Sequence, residues 1–271
     1  RYRKSLTEER CREVNRLQKI LEGANIKLDS VVKDITGKSA RKLLQRIIDD
    51  DIPDSEEVSK LVHGRMRPKL DQIVASIEGI TTPLQRKLLA QIIDHIDDLN
   101  RRIGELDKLV QEYMTEYEAA IEAIDEIPGI ARRSAEVILA EIGLDMGRFP
   151  SAAHLCSWAG VCPGNYQSAG RRKHGKTTKG NSALKTILTQ CAKSARTAKN
   201  SYFSAQYQRI AARRGKNRAT LAVAHSILVA IYHILKNKTA FQDLGSDYYD
   251  SFNRDRKINS YLKRLKALGW E

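Results

Sequence analysis

The hydrophobic positions of this chain recur at helical rather than strand spacing along nearly its whole length. From Leu6 to Leu21 the apolar residues Val14, Leu17 and Leu21 fall on one helical face, and the Glu22-Gly23-Ala24-Asn25 turn ends that helix. A second helical pair follows, broken near Gly37 and again at Ile52-Pro53-Asp54, where Asp49, Asp50, Asp51 and Asp54 cluster. Such a cluster can ligate metal, but a helix end running into an X-Pro turn accounts for it. Pro83 then opens a long helix. Leu89, Ile92, Ile96, Leu99, Ile103, Leu106, Val110, Tyr113, Tyr117, Ala120 and Ile124 alternate steps of three and four, the a/d stripe of a coiled coil. The stripe pairs either with the N-terminal helix folding back or with another subunit. Asp94, His95, Asp97 and Asp98 on the same helix read as a solvated face.

After Asp125 the pattern shifts. A Pro-Gly turn at Ile127-Pro128-Gly129-Ile130 leads into a helix ending at Gly143. A short helix around Ala152 to Ala159 precedes a Gly-rich basic loop from Gly160 to Gly180. Helices are expected again over Leu184–Ala198, Phe203–Ala212, Ala219–Leu235 and Ile258–Leu268, with Arg213-Arg214-Gly215-Lys216-Asn217 as a joint. No alternation of strand and helix is evident. The predicted architecture is mainly α: a long coiled-coil arm, then a helical domain with a helix-hairpin-helix-like turn and a Gly-rich basic loop. The expected divisions are an N-terminal helical region (1–80), the long helix (81–124), a C-terminal domain (125–245) and a helical tail (246–271).

Charge sharpens this picture. The chain of 271 residues carries a net charge of +14, unevenly spread. Residues 1–145 hold 24 basic and 28 acidic residues, whereas the span between Asp145 and Asp243 holds 17 Lys or Arg and no Asp or Glu. Solvated surfaces mix both signs, so an acid-free span of this length implies a polyanionic partner. Trp158, Tyr202, Leu221 and Ile227 give the span a core, which sets it apart from a basic tail. Nucleic acid is the expected partner, ahead of an anionic membrane surface. No apolar run reaches bilayer length and the N-terminus has no signal-peptide region, so neither a membrane nor export is expected. The four cysteines, Cys11, Cys156, Cys162 and Cys191, form no CxxC and read as free thiols of a reducing compartment. Cys156 and Cys162 with His154 and His174 fit no common zinc spacing, and no metal site is assigned in the chain.

Three segments carry candidate chemistry. In IPGIARRSAEVILAEIG, Ile127 to Gly143, a Pro-Gly turn before a helix would present backbone amides to a phosphate. Gly129, Arg132 and Arg133 are the candidate contacts; Ala131 stands where a second glycine is usual in such a hairpin. In NYQSAGRRKHGKTTKGN, Asn165 to Asn181, glycines allow close approach of the backbone, and Arg171, Arg172, Lys173, Lys176 and Lys179 form a cationic rim. The phosphate-loop spacing GxxxxGK[ST] is absent. Arg213, Arg214 and Lys216 form a third basic cluster. A hydroxyl in the loop, Ser168 or Tyr166, can attack a phosphodiester once its proton is removed and phosphate charge is neutralised. Only His174 is close in sequence as a base, and Ser151, Ser157 and Ser182 are equally eligible on composition alone.

The run from Ile127 through Arg196 resembles the C-terminal domain of bacterial insertion-sequence transposases of the 110/116/902 family. The matching pieces are IPGI, AEIG, RFPSAAHLCSWAGVCPG, NYQSAGRRKHGKTTKGN and ALKTILTQCAKSAR. ANIKLDSVVKDITGKSARKLL, from Ala24 to Leu44, and the ending FQDLGSDYYD, from Phe241 to Asp250, are also similar to the family. The resemblance implies a serine nucleophile within Ser168-Ala169-Gly170-Arg171. It further implies a coiled-coil section supporting homo-oligomer assembly, DNA and a structured bridging RNA as partners, and a bacterial cytoplasmic, nucleoid-associated setting. It also implies an N-terminal RuvC-like domain whose acidic tetrad holds Mg2+. No segment before Ser5 supplies such a domain, so the chain is expected to be cut from something longer, and Mg2+ is expected only of the complete protein.

The leading expectation is therefore a DNA transposase acting through Ser168. The alternative is a non-catalytic nucleic-acid-binding module from a truncated transposase. A structural coiled-coil scaffold ranks third, because it leaves the acid-free span unexplained.

Overall fold

The computed structural model describes residues 1–163, 167–169, 171–172, 177–251 and 254–270. The chain is mainly helical and divides into two compact units, Arg1–Tyr113 and Met114–Glu271.

In the first unit, α1 (Tyr2–Gly23), α2 (Leu28–Val31), α3 (Lys38–Ile48), α4 (Ser55–Leu61), α5 (Leu70–Ile77) and α6 (Pro83–Tyr113) enclose an aliphatic core. Leu43, Leu44 and Ile47 of α3 meet Leu17 and Leu21 of α1, Ile73 and Ile77 of α5 and Leu89 of α6, all buried. Local sequence sets the helix starts. Asp54 accepts from the Glu57 amide at 2.8 Å while the Glu57 carboxylate accepts from the Asp54 amide, a capping box. Thr82 and Gln85 exchange the same pair of bonds ahead of α6, whose first residue is Pro83. The aspartates near Pro53 are engaged likewise: Asp50 pairs with Arg86 at 2.6 Å and Asp51 with Arg46 at 2.9 Å.

The partner of the long apolar stripe is the N-terminal helix. Arg3 pairs with Asp107, Arg10 donates to Asn100 at 2.6 Å, and His95 lies 3.8 Å from both Glu9 and Glu13, so α1 runs antiparallel to α6. The continuous helix expected over 81–124 is interrupted, which corrects both its extent and the boundary at 124. A 3-10 turn at Met114–Tyr117 separates α6 from α7 (Glu118–Asp125). Tightening from 3.6 to 3.0 residues per turn over four residues rotates the apolar face by roughly 80°. As a result Met114, Ile121 and Ile124 are buried in the second unit, while Tyr113 is 69% exposed.

The second unit contains α7, α8 (Arg132–Ile142), α9 (Ala152–Trp158), the two-residue strands β1 (Gln167–Ser168) and β2 (Arg171–Arg172), α10 (Ser182–Ala195), α11 (Tyr202–Arg214), α12 (Lys216–Asn237), α13 (Tyr248–Ser251) and α14 (Arg254–Ala267). Helix α12 packs against α7, α9, α10 and α11 through a buried row including Val223, Ala224, Ile227, Leu228 and Ile231. By length and composition α12 is apolar enough to cross a bilayer, which corrects the expectation that no segment is. Its apolar face is occupied here by the core it organises. The five-residue joint expected between α11 and α12 is one residue, Gly215, with φ +85°. Cys156 and Cys191 are buried free thiols, whereas Cys11 is exposed.

Candidate nucleic-acid interface

The serine loop grows from a stem between α9 and α10. Gly160, φ +73°, lies so close to the returning chain that a Cβ on it would sit 2.9 Å from the Thr178 carbonyl and 3.0 Å from the Gly180 nitrogen. A Cβ on Gly180 would collide with the Gly160 backbone. Only hydrogen side chains permit this contact. Beyond it, the Asn181 amide donates to the Trp158 carbonyl at 3.1 Å and Pro163 bridges Thr177. The Asn181 side chain caps α10, accepting from Ala183 and Leu184, and donates to the Glu141 carboxylate at 2.6 Å. Lys185 donates to the Thr177 hydroxyl at 2.6 Å. Residues from α8, α9 and α10 thus hold both ends of the loop.

Farther out, β1 and β2 pair antiparallel with Gln167 opposite Arg172 and Ser168 opposite Arg171. Ala169, φ +50°, begins the turn between them. Ser168 therefore occupies the last strand position before a tight turn, with an arginine across the ladder. Tyr166, Lys173, His174 and Lys176 lie outside the described residues, as do the side chains of Ser168, Arg171 and Arg172. Lys179 is exposed beside the stem. Among the other eligible serines, Ser151 precedes α9 with its hydroxyl 2.8 Å from His154 Nδ1, Ser157 lies within α9, and Ser182 begins α10.

The Pro-Gly turn joins α7 to α8, with Gly129 at φ +91°. A Cβ there would lie 2.5 Å from both the Cys191 carbonyl and the Ala195 nitrogen, so this glycine lets the turn rest on α10. The neighbouring arginines are engaged within the chain. Arg132 grips Glu118 with two guanidinium nitrogens and reaches Glu136 at 3.3 Å, and Arg133 pairs with Glu136 at 3.2 Å. The hydrogen bond from Arg132 holds the Glu118 carboxyl below the ordinary carboxylate range. Arg213, Arg214 and Lys216 differ: they flank Gly215, are exposed, and make no ion pair among the described residues.

Sequence reading missed Glu141, Thr177 and Lys185 as supports of the loop, because their roles arise from contacts between segments. Among the described residues no three His, Cys, Asp or Glu side chains converge to hold a metal. The described part therefore does not fit the Mg2+ site implied by the resemblance, and no step below is routed through a metal.

Residues 121–208, from α7 into α11, match the model of the Transposase IS116/IS110/IS902 family. An uncharacterized 43.6 kDa protein of insertion element IS110 from Streptomyces coelicolor is 27% identical over 216 residues, covering 77% of this chain and 47% of the relative. The chain spans about half the length of that curated relative. Through the segment that builds the loop and its supports, this chain belongs with the transposases of the IS116/IS110/IS902 family.

Proposed function

We propose that this chain is the nucleic-acid-engaging part of a DNA transposase, with Ser168 as the nucleophile. The observation that carries the reading is the position of Ser168 at the tip of a hairpin, opposite Arg171, on a loop pinned at both ends within the acid-free span. In the reaction the serine Oγ gives up its proton and forms a bond to phosphorus. The bond from phosphorus to one strand oxygen breaks, that oxygen takes up a proton, and the strand is left joined to the protein. Arg171, Arg172, Lys173, Lys176 and Lys179 neutralise the phosphate and its developing charge. Arg213, Arg214 and Lys216 hold backbone elsewhere on the DNA or on a structured RNA. Gly129 supplies backbone approach at the Pro-Gly turn; Arg132 and Arg133 contribute only as far as nucleic acid displaces their glutamates. Mg2+ belongs to an RuvC-like domain outside this chain. Assembly through the α1–α6 arm into a homo-oligomer, and a bacterial cytoplasmic, nucleoid-associated location, complete the proposal.

The test is Ser168→Ala in a transposase that joins this chain to an RuvC-like domain. Recombination and any detergent-stable protein–DNA adduct fall by about 10³-fold or more, the scale of removing a nucleophile, while oligonucleotide affinity is kept. Retained recombination overturns the assignment of Ser168, and an adduct lost instead in Tyr166→Phe transfers the role to Tyr166. No adduct in the unsubstituted protein under any metal condition leaves a binding module.

A further inference from the structure

A polar cleft of ≈ 690 Å³ opens where α10 ends and α11 begins. Its floor is the turn from Arg196 to Ser201, in which Asn200 takes φ +56° and the Ser201 hydroxyl accepts from the Phe203 amide. Its far wall is the segment from Ser246 to Tyr249. That wall is fixed to α11: Tyr249 stacks on Tyr202 with ring centroids 5.3 Å apart, and their hydroxyls are hydrogen bonded at 2.8 Å.

Three cations line the cleft, Arg196, Lys199 and Arg209, against one carboxylate, Asp247. The two arginines are positioned by aromatic rings rather than by acids. Arg196 donates to the Tyr207 hydroxyl at 3.3 Å and lies 5.6 Å from that ring's centroid; Arg209 lies 5.3 Å from the centroid of Tyr249. None of the three cations makes an ion pair among the described residues. A guanidinium held by a ring keeps its charge uncompensated and its donors oriented, which suits the forked recognition of a phosphate. The hydroxyl-bearing lining disfavours an apolar ligand. Because α10 has 14 residues, it separates the cleft from the loop stem at Asn181 by about 21 Å. One strand advances about 3.4 Å per nucleotide, so that span is roughly six nucleotides.

We propose that this cleft is a second phosphate site, holding the backbone of the bound nucleic-acid strand about six nucleotides from the serine loop. The proposal rests on the nucleic-acid reading above and adds a place where the strand is gripped away from the reacting serine.

The experiment uses the full chain and single-stranded oligonucleotides. Replacing Arg196, Lys199 and Arg209 together by Gln makes the dependence of log affinity on log salt less steep by about two, one counterion for each lost phosphate contact. Lys199→Gln, which alters only an exposed turn, reduces it by less than one contact. Independently of any variant, arylglyoxal labelling of Arg196 and Arg209, mapped by peptide mass spectrometry, is blocked by oligonucleotide and not by inorganic phosphate at equal phosphate concentration. An unchanged slope in the folded triple variant overturns the cleft and leaves the nucleic-acid reading standing. Equal protection by inorganic phosphate overturns the strand assignment in favour of a free anion. Failure of the unsubstituted chain to bind any oligonucleotide overturns both readings.

Discussion

At the scale of single residues, Gly129 and the buried thiols give separable expectations. Gly129→Ala must both hold φ +91° and push against Cys191 and Ala195 of α10. It is expected to lower stability by about 1–3 kcal/mol, read by thermal or urea unfolding. Burial pushes the Cys156 thiol up to about 12 and also raises Cys191. Iodoacetamide at neutral pH therefore labels exposed Cys11 and spares Cys156 and Cys191 until the chain unfolds. His225 is shifted the other way, its protonation disfavoured by burial. A histidine whose folded value is depressed stabilises fully above its unfolded value near 6.5, and that stability is lost as pH falls toward the folded value. Melting temperature should thus decline on acidification below about 6.5, and less steeply in His225→Gln. The Pro-Gly turn was legible as a turn, because few other residue pairs reverse a chain so tightly. Its packing on α10 was not, since the contact joins residues more than sixty positions apart. The same limit hid the ion pairs of Arg132 and Arg133 with Glu118 and Glu136.

At the scale of elements, α6 offers the clearest comparison of pattern with packing. Its start was readable from Pro83 and its apolar stripe from the steps of three and four, but its end was not. A heptad count runs through a 3-10 turn without registering the rotation, so Tyr117 and Ala120 were read as continuing a face that Met114 and Ile121 take over. Gly104 lies inside α6, and a Cβ there would meet nothing within 4 Å. Gly104→Ala is therefore expected to stabilise the first unit by about 0.5–1 kcal/mol, the helix-propensity difference. Asp54→Ala should cost about 1 kcal/mol by removing the cap of α4. Denaturant titration of both variants checks the two signs, and a stabilising Asp54→Ala would contradict the capping role.

At the scale of the whole chain, charge follows the division into units. Residues 1–113 carry a net +2 and residues 114–271 a net +12. Nucleic-acid affinity and its salt dependence should therefore belong to the second unit, with little of either in a polypeptide of the first. Equal binding by the two halves, in filter-binding or fluorescence-anisotropy titrations, would contradict this. The acid-free span announced the partner class from sequence because charge composition needs no fold to be read. The clasp of Gly160 on Gly180 needed the fold, since each glycine alone looks like loop. That clasp makes the segment between the two glycines an exchangeable cassette. With its ends fixed in backbone contact, doubling its length adds only about 0.6 kcal/mol of closure entropy. Loops from relatives can then be grafted between Gly160 and Gly180, letting what the loop recognises diverge while the helices beneath it stay the same.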